Sequence, residues 1–124
     1  MPDENALNLL EKYSDELYRF AYILTCSDHG AADLLSEAFS ELSGNDKFTD
    51  KADENRIILF SALYALAPKF EEAPDFELIK QRYGEKNGEF YALLKAPLRE
   101  RARTHLLIYE DMTEREIEGV LKRK

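Results

Sequence analysis

One cysteine, Cys26, stands in a chain of 124 residues, so no disulfide can close within it. No stretch approaches the ~18–20 apolar residues that a membrane-spanning helix needs. The opening segment, MPDENALNLLEKY, lacks the basic start and apolar run of a secretory signal. Histidine is confined to His29 and His105, and no His-x-x-x-His, Cys-x-x-Cys or glycine-rich phosphate loop occurs. The acidic stretch 44–55 does not follow calcium-loop spacing. Counted from Asp46, Phe48 falls where an oxygen ligand is required and Lys51 where glycine is. Cys26, Asp28 and His29 crowd one turn, which does not place a nucleophile against a base. These absences argue against an enzyme, a metal, a cofactor or a small-molecule substrate, and they point to a cytoplasmic protein that does not associate with membranes.

Positive charge is also scarce. Lys and Arg number 17 against 25 Asp and Glu, for a net charge of −8. The deficit is uneven: residues 1–70 hold 13 acidic and 6 basic side chains, while residues 71–124 hold 12 and 11. Phosphates repel a surface like the first half, because non-specific nucleic-acid affinity comes almost wholly from Lys and Arg. The composition therefore favours a protein partner over DNA.

What is present is helical periodicity, with no sustained alternation that would argue for a strand. Leu7, Leu10, Tyr13, Leu17, Phe20 and Leu24 fall three or four apart, which predicts a long helix over about 4–25. CSDHG (26–30) breaks it, with Ser27 or Asp28 able to cap the next helix. In that helix Leu35, Ala38, Phe39 and Leu42 are expected to share the buried face, and Gly44 to end it. A third helix, about 54–67, is apolar on most sides and is expected to be the most buried. Pro68 and Pro74 bracket an expected linker, followed by short helices near 75–83, 89–94 and 97–109. Thr113 and Glu116 form a capping box that opens the last one. The expected architecture is all-α: a three-helix domain (1–70), a linker (71–74) and a smaller helical domain (75–124).

Two stretches carry a resemblance. LYRFAYILTCSDHGAADLLSEAFSEL (17–42), with its core of Asp33, Leu34, Leu35, Ser36, Glu37, Ala38 and Phe39, resembles region two of the sigma-70 family, the compact extracytoplasmic-function type. APLRERARTHLLIYEDMTEREIEGVL (96–121) resembles the opening of region four, up to the first helix of a helix-turn-helix. The resemblance implies that the helix carrying Asp33, Ser36, Glu37, Ser40 and Glu41 docks on core RNA polymerase. Helical spacing places the same five residues on one side, where a merely solvated polar face is the alternative. It also implies two DNA-reading surfaces, and both are weakened here. The third helix carries Arg56 and no further base until Lys69, and the chain ends before a recognition helix. Lys122, Arg123 and Lys124 can touch phosphates without reading sequence, and Arg99, Arg101 and Arg103 form the other basic cluster, read first as i,i+4 pairing on a surface helix and alternatively as a contact for a phosphate or an acidic partner. Sigma-like domains with this defect occur in alphaproteobacterial general-stress regulators, where they mimic a sigma factor and capture its anti-sigma factor. The expected function is thus transcription regulation by contact with core RNA polymerase or an anti-sigma factor, with DNA binding weak or absent alone. A conventional sigma factor and a helical interaction module outside transcription are the alternatives.

Overall fold

A computed structural model of the chain describes residues 8, 11–42, 52–84 and 88–122. The expected terminator Gly44, the acids of the 44–51 loop, the centre of the 84–88 turn, Leu7, Leu10, Arg123 and Lys124 lie outside the described residues. The chain is all-α: α1 (Ser14–Thr25), α2 (Asp28–Leu42), α3 (Ala52–Leu66) with a 3-10 turn (Ala67–Lys69), α4 (Phe76–Tyr83), α5 (Gly88–Lys95), α6 (Leu98–Ile108) and α7 (Glu114–Leu121). Among the described residues no strand occurs, and no helix is long and apolar enough to cross a membrane.

Local chemistry sets most of the boundaries. Tyr13 forms a turn ahead of α1, so that helix begins at Ser14 rather than running unbroken from about residue 4. Cys26 ends α1 in the left-handed region at φ 64°. Ser27 is the residue that caps α2: its Oγ accepts the Gly30 N–H at 2.8 Å and donates to Glu72 at 2.5 Å. Asp75 caps α4 by accepting the Leu78 N–H, and Gly84 closes it at φ 79°. Both halves of the Thr113–Glu116 capping box form, at 3.2 and 3.0 Å.

The core is built around α1 and α3. Leu17, Phe20 and Leu24 of α1 meet Leu59, Phe60 and Leu63 of α3, with Phe20 and Phe60 ring centroids 5.0 Å apart. Full burial of each such side chain contributes about 1.5–3 kcal/mol. The α3 helix is apolar on most sides because it is enclosed by α1, α2 and α7. The buried stripe of α2 is Ala31, Leu34, Ala38 and Leu42, whereas Leu35 and Phe39 are half-buried. The expected stripe was rotated by about one position: Leu34, not Leu35, completes the three- and four-residue spacing.

The boundary expected at 71–74 does not separate two cores. Ala102 and Leu106 of α6 and Ile117, Val120 and Leu121 of α7 enter the same cluster as Phe20 and Phe60. A second, smaller cluster lies beside it, where Ile23 of α1 and Cys26 meet Ile79, Leu93 and Leu94 of α4 and α5. Residues 71–74 are strapped to the first half, the Glu72 N–H donating to the Thr25 carbonyl at 2.9 Å.

Candidate partner-binding surface and its buried supports

The exposed side of α2 follows from its buried side. With Ala31, Leu34, Ala38 and Leu42 turned inward, Asp33, Ser36, Glu37, Ser40 and Glu41 all face solvent. Asp33 pairs with His29 one turn back at 3.2 Å, and Glu37 lies 3.8 Å from Lys69. Exposed pairs of this kind contribute at most ~1 kcal/mol and leave the carboxylates accessible to a partner. At the start of the same helix Asp28 takes the Tyr18 hydroxyl and Arg82 guanidinium. The Tyr18 hydrogen bond, then Arg82, hold its carboxyl below the usual range.

The basic residues of α6 do not form the cluster that their spacing suggests. Arg101 is buried, 4% exposed, and is no surface contact. Its Nε donates to the Ile23 carbonyl at 2.6 Å, Nη2 to Leu24 O at 3.0 Å and Glu71 Oε2 at 2.6 Å, and Nη1 to Ala96 O at 2.9 Å. The physical reason lies at the end of α1, whose last carbonyls have no partners within the helix. Tyr22 O receives the Cys26 N–H, Thr25 O receives the Glu72 N–H, and the planar fork of Arg101 satisfies the two between. Arg99 and Arg103 face solvent but are engaged with α7: Arg103 Nη2 meets both oxygens of Glu114 at 2.7 Å, and Arg99 Nη1 reaches the Leu121 carbonyl at 3.3 Å. At the C-terminal end Arg99 has the sign the helix dipole favours, as Glu114 does at the N-terminal end, where Arg103 pairs with it. Lys122 is exposed just past α7.

A charge cluster absent from the sequence expectations sits beneath. Glu110 is 4% exposed, and its Oε2 lies 2.7 Å from His105 Nε2, both side chains being buried. Arg19 donates to the two Glu110 oxygens at 3.2 and 3.0 Å. Arg56 donates to the Glu110 carbonyl at 2.8 Å and lies 3.5 Å from Glu16. Burial pushes the Glu110 carboxyl up, but the hydrogen bonds from His105 and Arg19 outweigh it and hold the group below its usual range. An ionised carboxylate only accepts, so His105 carries its hydrogen on Nε2. The cluster joins α1, α3 and α6 through the turn after α6, where Asp111 takes a left-handed conformation at φ 53°. One sequence signal was open to reading: Arg56 is a lone base in an apolar helix, and such a base must find a buried partner or snorkel outward.

No family model, no curated protein and no solved structure matches the chain.

Proposed function

We propose that the chain regulates transcription through protein contacts, as a divergent sigma factor or sigma mimic that docks on core RNA polymerase or an anti-sigma factor through α2 and has little or no capacity to read promoter DNA. The reading rests on the resemblance of 17–42 and 96–121 to sigma regions two and four. The observation that carries it is the state of α3, which corresponds to the helix that melts and reads the promoter in that family. Phe60 is fully buried in the core, Tyr64 is half-buried against it, and Arg56, the one Arg or Lys of that helix, is engaged by Glu110 and Glu16. Base stacking and phosphate contact both require accessible groups, and α3 offers neither an open Phe60 ring nor an uncommitted guanidinium. The acidic side of α2, in contrast, stands open to a basic or amphipathic helix.

Two measurements test this. In a salt-controlled titration, promoter and scrambled duplexes should bind alike. A specific dissociation constant tighter than ~10⁻⁷ M at physiological salt would exclude the reading. In surface plasmon resonance against core polymerase and candidate anti-sigma proteins, Asp33→Lys with Glu37→Lys should slow association at low salt at least about tenfold while leaving the helical circular dichroism intact. Association as fast as wild type at every salt concentration would place the docking surface elsewhere.

A further inference from the structure

We propose that the cleft between α1, α5 and α6 binds a small neutral ligand of the phenol class, one aromatic ring bearing a hydroxyl. The rings of Tyr18, Tyr22, Phe90 and Tyr109 line the cleft, with Ile23 and His105 completing its apolar wall, and the space measures about 290 Å³. A cavity of ~150 Å³ suffices for benzene, and drug-sized ligands occupy upwards of ~300 Å³, so the cleft suits a single substituted ring. Aromatic walls favour such an occupant through edge-to-face and offset stacking.

Charge selects a neutral ligand. Among the described lining residues Arg19 is the one Arg, Lys, Asp or Glu, and its Nε and Nη2 are held by Glu110 at 3.2 and 3.0 Å, with Asp15 and Glu16 within electrostatic reach. With that guanidinium paired, the cleft offers an ion of either sign no uncompensated counter-charge to offset its desolvation.

The hydroxyl is selected by His105. Its ring is 1% exposed, Nε2 is committed to Glu110, and Nδ1 is closed to water with no hydrogen-bond partner among the described residues. A ring nitrogen is a hydrogen-bond acceptor when bare and a donor when it carries a hydrogen, and a phenol hydroxyl complements it either way. A buried polar atom without a partner is uncommon in folded proteins and costs stability; a ligand hydroxyl would satisfy it. Tyr109 stacks on His105 at 5.2 Å and 25°, and it is itself 46% exposed, so its ring is the wall that shifts to admit the hydroxyl. This site is separate from the α2 face and does not depend on a role in transcription.

The test is an NMR titration of the full chain with p-cresol and, in parallel, toluene. We expect saturable shifts confined to the four aromatic rings and His105, displacement of the His105 Nδ1 nitrogen resonance by p-cresol, and affinity for p-cresol at least about tenfold above that for toluene. Equal affinity for the two probes, a stationary Nδ1 resonance, or no saturable binding would each overturn the proposal. Phe90→Trp, which adds volume at the wall without touching the His105–Glu110 pair, should weaken p-cresol at least about tenfold with the amide spectrum otherwise preserved, as overfilling a packed site does. Unchanged affinity in a folded Phe90→Trp protein would count equally against it. Comparison of the two probes on wild type stands even where that variant does not fold.

Discussion

At the scale of single residues, burial rather than residue type decides the cost of a substitution. Leu34 is fully buried and Leu35 only half so. Leu34→Ala should therefore lower stability by ~2–5 kcal/mol, and Leu35→Ala by clearly less, as read from denaturant midpoints. Glu110 is the most consequential polar residue. Its carboxyl titrates below its usual value in the folded chain, although burial alone would raise it, because His105 and Arg19 favour the ionised form. The ionised state thus contributes stability that is complete above the unfolded glutamate value of ~4.3 and is lost as pH falls through the lower folded value. Unfolding followed from pH 7 to pH 3 should show a steeper acid decline in wild type than in Glu110→Gln, each referred to its own neutral value. At neutral pH, Glu110→Ala should cost ~1–3 kcal/mol, since it leaves the buried His105 Nε2 without its hydrogen-bond partner and Arg19 without its carboxylate.

At the scale of elements, the termini were the most legible features and the long-range caps the least. Ser27 and the Thr113–Glu116 pair act on amides within three residues, so their roles follow from local spacing. Arg101 and Glu110 meet partners 77 to 91 residues away, and nothing in their own neighbourhoods marks them as buried. Periodicity placed Asp33, Ser36, Glu37, Ser40 and Glu41 on the exposed side of α2, yet it rotated the buried stripe, because an adjacent pair such as Leu34–Leu35 lets the spacing run from either leucine. The identity Gly30 is set by a contact that spacing does not reveal. A Cβ there would lie 2.9 Å from the Phe70 carbonyl oxygen and 2.8 Å from Ser27 Oγ, whereas a Cβ at Gly88 would meet nothing within 4 Å. The same change should then have opposite signs: Gly30→Ala should destabilise by ~1–3 kcal/mol, and Gly88→Ala should stabilise by ~0.4–1 kcal/mol. Melting curves of the two variants against wild type would check this.

At the scale of the whole molecule, the shared core couples the chain's two halves. Because Phe20 and Phe60 pack in one cluster with Leu106, Ile117 and Val120, the segments 1–70 and 75–124 should not unfold separately. Far-ultraviolet circular dichroism and tyrosine fluorescence should trace one coincident transition in denaturant, and two resolved transitions would show that the halves are independent. All-helical composition was legible because 3.6-residue periodicity is local; the union of the halves was not, since it depends on which apolar faces meet. The Arg101 fork on the Ile23 and Leu24 carbonyls also carries a consequence for the order of events on the ribosome. A chain made from its N-terminus at ~5–20 residues per second exposes α1 several seconds before Arg101 is synthesised. Until then the last turn of the first helix has water in place of its guanidinium cap, and the apolar faces of α1 and α3 await α6 and α7. A protein built of short helices, ordinarily quick to fold through local contacts, is here bound to finish late, because its first helices complete their core only when the last ones arrive.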